Sequence, residues 1–232
     1  MSDAEPPAVP GFHGERYDSY LAGTEGAPPR ELLLRALAIL GPDAPKTALD
    51  LGCGPGREIP PMVQRGLRVT AVDPYADMLR RSRAMLAQAF PASGTVADEL
   101  AAGAAQGHAA VEFVQSTLEE LASTLPSRHY GLIHAGFVLP FVRPSRFTHA
   151  FAALRESLAP RGLLVAQFFG PDDEFIRGAE PDTMTSHRAD DLGALLAGLE
   201  ILHHEEVNRV GNIGRGRSKW WHVHHVIARR EA

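Results

Sequence analysis

The segment from Thr47 to Glu58, which reads TALDLGCGPGRE, constrains the fold more than any other part of the chain. It begins with a mostly apolar run, typical of the end of a buried strand, and continues with Gly52, Gly54 and Gly56 at alternate positions. Glycine adopts positive φ angles readily and carries no Cβ that would keep a ligand away from the backbone. The helical pattern that follows would direct free N–H groups towards the same place. The segment therefore predicts a strand, a ligand-binding loop and a helix.

Two acidic residues indicate which ligand the loop binds. Asp50 precedes the first glycine, whereas the dinucleotide fingerprint G-x-G-x-x-G packs its glycines around a pyrophosphate. A carboxylate repels a pyrophosphate but attracts a ligand with an ammonium or sulfonium group. A second predicted strand, at residues 68–73, ends in Asp73, which follows Gly56 at close to the roughly 20-residue spacing of a ribose-binding acid. Together the two acids indicate an adenosine ligand with a cationic tail.

These residues carry a resemblance to a known family. ALDLGCGPGRE followed by VTAVDPYADML resembles motifs I and II of the class I S-adenosylmethionine (SAM) dependent methyltransferases, and YGLIHAGFVLPFV resembles their motif IV. The resemblance runs from about residue 30 to 229, and its later part is similar to small bacterial methyltransferases of the tellurite and thiopurine methyltransferase-like group. It implies SAM as the cofactor. It also implies an α/β fold with a Rossmann-like, doubly wound seven-stranded sheet in the order 3-2-1-4-5-7-6, whose last strand is antiparallel.

The resemblance implies a set of cofactor-binding residues as well. In the family the glycine loop surrounds the methionine end of SAM, and the acid after the second strand holds the ribose hydroxyls. Ser116 stands where many members carry an acid beside the adenine, so the adenine contact stays open at that position. The implied set is Asp50, Gly52, Cys53, Gly54, Gly56, Asp73, Pro74, Met78, Thr117, Leu118 and His134.

The acceptor side of the site is expected beyond the carboxyl ends of the strands, where open α/β sheets bind their ligands. His134, near the end of the predicted fourth strand, is the first candidate for a catalytic base, and His187 and His13 are weaker candidates. A base is needed only where the acceptor must lose a proton. Aromatic residues are expected to form much of the acceptor-pocket wall: Tyr17, Tyr20, Phe137, Phe141 and Trp220.

Five histidines near the end of the chain raise the question of a metal site. Strand alternation places His222 and His224 on one face and His225 on the other. No cysteine lies nearby and no clear set of four ligands emerges, so the sequence predicts no metal site.

Composition narrows the class of partner. The net charge is −5 and no block of Lys or Arg stands out, which argues against nucleic acid and anionic membranes. Cys53 is the single cysteine, so no intrachain disulfide forms, and no apolar run approaches the ~20 residues of a membrane span. We expect a cytoplasmic methyltransferase domain at residues 31–232, preceded at residues 1–30 by an arm that packs loosely or closes as a lid. The oligomeric state stays open between monomer and homodimer.

The predicted function is methyl transfer from SAM to the O, N, S or C nucleophile of a small molecule. The reaction is an in-line displacement, for which alignment alone can supply ~7–11 kcal/mol. Three alternatives stay open from the sequence. They are an enzyme of the same fold that uses SAM for a cyclisation or rearrangement, an inactive SAM-binding scaffold, and a nicotinamide oxidoreductase.

Overall fold

The computed structural model describes residue 21 and residues 23–24, 26–90, 110–214 and 217–231. Most of the expected N-terminal arm falls outside this range, including Tyr17, Tyr20 and His13. The lid and the domain boundary at residue 30 therefore stay predictions. Among the described residues, no helix is both long enough and apolar enough to cross a membrane.

The described chain is an α/β fold around one seven-stranded sheet. The strands are β1 (Thr47–Leu51), β2 (Arg68–Asp73), β3 (Val111–Gln115), β4 (Tyr130–Ala135), β5 (Leu158–Phe169), β6 (Leu199–Gly214) and β7 (Arg217–Arg230). The helices are α1 (Glu31–Ile39), α2 (Ile59–Gln64), α3 (Ala76–Ala89), α4 (Leu118–Leu121), α5 (Pro144–Ser157), α6 (Glu174–Arg177) and α7 (Ala189–Leu195), with a 3-10 turn at Leu139–Phe141.

The sheet has the strand order β3-β2-β1-β4-β5-β7-β6. The first five strands of that order pair in parallel, and β7 runs antiparallel to both β5 and β6. The predicted order and the antiparallel last strand are confirmed. The Gly- and Arg-rich segment 208–218 reads as a hairpin loop from the sequence alone, and that interpretation is wrong in extent, because the β6–β7 ladder continues to the pair Gly214 and Arg217. Glycine and asparagine are poor strand formers, but here the ladder to β7 extends through them.

Apolar layers cover both faces of the sheet. Phe147 and Phe151 of α5 pack into one layer, while Leu33 of α1 and Met62 of α2 pack into the other. Every residue of β1 and β4 is buried, as expected of parallel strands with helices on both faces. Polar side chains in these two strands are therefore largely shielded from water.

A buried ion pair joins the loop after β5 to the start of β7. Asp173 is fully buried and accepts hydrogen bonds from the Lys219 ammonium, from Phe175 N at 3.0 Å and from His222 N at 3.1 Å. Lys219 Nζ also lies 3.9 Å from the ring centroid of Trp221, and burial lowers the pKa of Lys219. The pair thereby fixes the loop after β5 against the aromatic side chains near the end of the sheet.

We expect Asp173→Ala to lower the free energy of unfolding by about 3–5 kcal/mol, because it leaves the Lys219 charge buried without its counterion. The matched control is Asp172→Ala, whose side chain is 59% exposed. Exposed charges of this kind contribute at most about 1 kcal/mol. Urea unfolding of both variants measures the difference. Equal, small losses would contradict a structural role for the buried pair.

Candidate active site

The glycine loop has the backbone conformation that its sequence predicts. The φ angles of Gly52, Gly54 and Gly56 are 61°, 53° and 89°. A Cβ at Gly56 would lie 2.3 Å from Ser82 Oγ and 3.0 Å from Ser82 Cα in α3. The third glycine therefore permits both the turn and the close packing of the loop on α3.

Asp73 lies at the end of β2 and is bonded to the glycine loop. Its Oδ2 accepts a hydrogen bond from Gly54 N at 3.0 Å, and its Oδ1 accepts one from Tyr75 N at 3.0 Å. The residue is 5% exposed, and burial raises the pKa of its carboxyl from 3.8 to about 6. Each carboxylate oxygen retains a further acceptor position, as ribose hydroxyls require.

Asp50 and His134 meet because β1 and β4 pair in the register that puts them opposite each other. His134 Nδ1 lies 2.8 Å from Asp50 Oδ1, and since a carboxylate only accepts, the ring nitrogen donates. Both side chains are buried. Asp50 Oδ2 and His134 Nε2 have no hydrogen-bond partner among the described residues. The unsatisfied Asp50 oxygen fits a ligand that brings N–H donors and positive charge, such as an ammonium group, and the His134 nitrogen is a second acceptor beside it.

The glycine-loop cleft contains this pair. It is lined by Asp50, Gly52, His134, Arg30 and Arg57, with further residues from the glycine loop and from the segment before α1. Its free volume is only about 10 Å³, so a methionyl group enters after neighbouring side chains move.

A second and larger space, the arginine cavity, adjoins the cleft. It has a volume of about 440 Å³ and is lined by Arg30, Arg35, Arg57, Phe137 and His225, among others. Arg30 and Arg57 line both spaces. The two cavities are therefore neighbours beyond the carboxyl ends of the strands, as the open-sheet rule predicts.

Phe137 is the centre of an aromatic cluster at this cavity. Its backbone φ is 58°, and its ring lies 5.8 Å from Trp221 and 6.0 Å from Phe169, centroid to centroid. The Arg30 guanidinium lies 4.7 Å from the Phe137 ring centroid. Phe141 packs behind this cluster, 6.4 Å from Phe169. Of the five predicted aromatic residues, Phe137 is thus placed in the cavity wall and Phe141 behind it.

Trp220 lies elsewhere. Its side chain is exposed and donates a hydrogen bond from Nε1 to Asn208 Oδ1 at 2.6 Å. Because neighbouring strand residues point to opposite faces, Trp221 takes the place beside Phe137 that the sequence analysis gave to Trp220.

His187 and Cys53 both lie in surroundings that indicate structural rather than catalytic roles. His187 packs its ring 4.5 Å from that of Phe147, on the face of the sheet that carries α5. Burial, followed by the charge of Asp50, raises the pKa of the Cys53 thiol well above its ordinary value. Cys53 is therefore a protonated, small residue of the turn rather than a thiolate nucleophile.

The remaining predicted cofactor residues cluster after β2 and β3. Met78 and Leu118 are buried. Thr117 begins α4 as its N-cap, accepting a hydrogen bond from Glu120 N at 3.2 Å. The carbonyl of Pro74 accepts a hydrogen bond from Gln115 Nε2 at 3.1 Å. These contacts hold the two loops together at the expected position of the adenine, and the cofactor contacts themselves stay predictions.

Sequence reasoning did not find the arginines. Glu58 Oε1 lies 3.5 Å from Arg30 Nε and 3.1 Å from Arg57 Nε, which brings the segment before α1 against the glycine loop. Arg35 NH1 lies 3.1 Å from Nδ1 of His203 in β6. Arg30 directly precedes α1 and Arg35 lies within it, Arg57 lies in the glycine loop and His203 lies in β6, so only the fold brings these side chains together.

The chain matches the model of a methyltransferase domain over residues 18–205. The chain belongs to this methyltransferase family. Its membership confirms the resemblance to class I SAM-dependent methyltransferases, and SAM is the cofactor of the domain. The unpartnered Asp50 oxygen, the Asp73 carboxylate and the positive-φ glycines fit that cofactor.

Two curated relatives illustrate the similarity of the methyltransferase. An uncharacterized methyltransferase of Mycobacterium tuberculosis is 39% identical over 82 residues, which are 35% of this chain and 32% of that protein. Malonyl-[acyl-carrier protein] O-methyltransferase of Halalkalibacterium halodurans is 30% identical over 131 residues, which are 56% of this chain and 41% of that protein. The matched segments thus span less than half the length of these relatives.

Solved structures share the fold of the methyltransferase. TehB from Haemophilus influenzae has a TM-score of 0.58 at 15% identity, covering 86% of this chain and 61% of that chain. A 1,6-didemethyltoxoflavin-N1-methyltransferase from Burkholderia thailandensis has a TM-score of 0.57 at 20% identity, covering 100% of this chain and 98% of that chain. At these identities the likeness concerns the fold alone.

We expect Asp73→Ala to weaken SAM binding by about 10- to 150-fold, because hydrogen bonds to a charged group contribute ~1.5–3 kcal/mol. Asp73→Asn should lose less, because the amide keeps one acceptor oxygen. S-adenosylhomocysteine should lose the same factor, since it shares the ribose. Calorimetry on the folded variants measures this. Wild-type affinity of Asp73→Ala for both ligands would show that Asp73 is only a strand-end acid.

The raised pKa of Asp73 predicts a pH dependence. The free carboxyl titrates near pH about 6, so affinity for S-adenosylhomocysteine should fall about tenfold for each pH unit below that value. Stability responds in the opposite direction. A carboxyl whose folded pKa is raised above 3.8 stabilises the fold at low pH, and this contribution is lost as pH rises through about 6. Titrations of wild type and Asp73→Asn between pH 5 and 8 test it, because the slope should disappear in the variant.

Proposed function

We propose that this protein transfers the methyl group of SAM to a small organic acceptor that carries an acidic group. One observation carries the proposal: the glycine-loop cleft and the arginine cavity adjoin, with Arg30 and Arg57 in the walls of both. A ligand in one space would meet a ligand in the other beside these side chains. Methyl transfer depends on such contact, because the nucleophile must be aligned with the methyl carbon and the sulfur.

The residues of the cleft would hold SAM by complementary charge. Asp50 Oδ2 has no partner among the described residues and would accept from the ligand's ammonium group. Asp73, fixed by Gly54 N and Tyr75 N, would accept from the ribose hydroxyls. Bound SAM supplies a methyl group that its sulfonium already activates. The task of the protein is then to hold both ligands in line and to exclude water.

The arginine cavity favours an acceptor with both apolar and anionic parts. Arg30, Arg35 and Arg57 line it together with two glutamates, Glu31 and Glu205. A guanidinium binds a carboxylate through two parallel hydrogen bonds, which gives orientation as well as affinity. Phe137 adds an apolar ring to the same wall. Burial lowers the pKa of His225, so its ring is neutral at neutral pH and does not add to the positive charge.

His134 is the candidate base where the acceptor must lose a proton. Its Nδ1 donates to Asp50 Oδ1, which leaves the Nε2 lone pair available. The neighbouring carboxylate also fixes the tautomer and the orientation of the ring. Asp50 would thus serve two purposes, attracting the cofactor's ammonium group and orienting His134.

The names of the similar proteins are consistent with a small acceptor but do not fix its atom. The relative from Halalkalibacterium halodurans is named an O-methyltransferase of malonyl-[acyl-carrier protein], and the structure from Burkholderia thailandensis is named an N1-methyltransferase of 1,6-didemethyltoxoflavin. We therefore leave the nucleophile open among O, N, S and C. A SAM-dependent cyclisation or rearrangement, or an inactive scaffold, would use the same cleft.

A product assay tests the proposal. The full chain is incubated with methyl-labelled SAM and a panel of acidic and neutral aromatic acceptors. We expect equal amounts of methylated product and S-adenosylhomocysteine, with a preference for acidic acceptors. Arg35→Gln should raise the acceptor KM about tenfold with unchanged SAM affinity, because one charged hydrogen bond is lost. His134→Gln should instead lower kcat.

The matched control for Arg35→Gln is Arg68→Gln, an exposed arginine at the start of β2. It should leave both KM and kcat unchanged. Product without consumption of SAM would indicate a rearrangement, and SAM binding without product across the panel would indicate a scaffold. An unchanged kcat in His134→Gln at saturating substrates would remove His134 from the mechanism and leave the rest of the proposal standing.

A further inference from the structure

A group of polar side chains lies on the face of the β6–β7 hairpin opposite the arginine cavity. Alternation along β7 directs Trp221 and His225 towards the side of Phe137, and directs His222 and His224 to the other side. The antiparallel register puts Glu206 of β6 directly across from His224. This cluster is therefore separate from the methyl-transfer site, and the inference does not rest on the proposed function.

Three members of the cluster have the chemistry of metal ligands. Glu206, His222 and His224 each offer one ligand atom, and these atoms lie within 4.8 Å of one another. Glu206 Oε1 is already 2.8 Å from His222 Nε2. Bonds of about 2.0–2.2 Å from nitrogen or oxygen to zinc place tetrahedral ligands roughly 3–4 Å apart. The observed spread of up to 4.8 Å is wider than this, so the three side chains would draw together when the ion binds.

An unsatisfied nitrogen points to a ligand at this place. His224 is fully buried, and its Nε2 has no hydrogen-bond partner within the part of the chain that the structure describes. Its Nδ1 lies 3.2 Å from His204 Nε2. A buried imidazole nitrogen without a partner costs free energy that a bound cation would recover.

The neighbours of the two histidines resemble the outer shell of a metal site. Ligating histidines usually use their second nitrogen to donate to a carboxylate or another acceptor, which fixes the ring. His204 Nε2 is placed to accept from His224 Nδ1. Asp172 contacts His222 Nδ1 through two atoms: its backbone N–H, at 3.2 Å, donates to the ring in one tautomer, and its Oδ2, at 3.3 Å, would accept from the ring in the tautomer that a metal ion selects. The Nδ1 atom of each ring therefore has a contact that fixes the orientation of the ring.

We propose that Glu206, His222 and His224 bind one divalent first-row transition metal ion, with zinc as the best match. Two imidazoles and one carboxylate suit zinc and its neighbours, whereas magnesium and calcium prefer oxygen ligands alone. Water completes the coordination on the exposed side of Glu206. The ion joins β6, the outermost strand of the sheet, to β7 through side chains as well as through the backbone ladder.

The sequence alone, with no cysteine near the histidines and no clear set of four ligands, predicts no metal site. Histidine spacing identifies His222 and His224 as a same-face pair, but the third ligand depends on the pairing register. A shift of that register by one residue would present Glu205 or Val207 instead of Glu206. The set of three becomes visible only once the hairpin is paired.

Calorimetric titration of the tag-free, chelator-treated full chain with zinc chloride tests the site. We expect one ion per chain, and at least a tenfold loss of affinity in Glu206→Gln and in His224→Gln. Glu206→Gln is the more secure variant, because its side chain is 42% exposed and the substitution keeps the shape of the fold. Zinc should also raise the thermal unfolding midpoint of wild type, and not that of the variants.

The matched control is Glu205→Gln, the neighbouring acid on the other face of β6, beside His203. It should bind zinc like wild type. The proposal fails if zinc does not bind in a one-to-one ratio. It also fails if Glu206→Gln binds as well as wild type, since the zinc would then be adventitious, or if Glu205→Gln loses as much affinity as Glu206→Gln.

Discussion

The parallel pairing of β1 with β4 is the constraint on which the site depends. Its register puts Asp50 opposite His134 at the ends of two strands that are buried throughout. A slip of β4 by one residue would turn His134 to the other face and put Ile133 or Ala135 opposite Asp50. The apolar layers on both faces prevent such a slip, because each would then lose its buried side chains. The same β1–β4 register is therefore required both to pack the core and to place Asp50 beside His134.

Local signals in the sequence are sufficient to predict the strand, glycine loop and helix at the centre of the fold. The glycine loop and the two acids lie within one strand–helix–strand unit, in which Asp73 accepts from Gly54 N, only 19 residues away. The long β6–β7 hairpin is different, because its outer half is held by pairing rather than by strand propensity. Glycine and asparagine near its turn read as a loop until the partner strand is in place.

The residues that line the site were predictable only in part, because the pairing and the face of each strand decide which side chains reach it. Trp220 and Trp221 are the same type of residue, and only the face of β7 on which each side chain lies distinguishes them. Phe137 follows directly from the end of β4, so its place was fixed by the motif. The arginines come from a helix entry and from the glycine loop, and Glu58 brings two of them together over long range. Contacts between residues that are distant in the chain produce no periodic pattern in the sequence.

The 16-residue strand β6 has a further consequence for the molecule. It is the last strand on its side, and among the described residues no strand covers its outer edge. A long open edge offers a row of backbone donors and acceptors to any other extended chain. Glu205, Glu206 and Arg209 place charge along it, which opposes the docking of a second strand. The outward charges of β6 thus limit association between molecules rather than stabilise the fold. A neutral β6 would favour pairing between the sheets of two molecules.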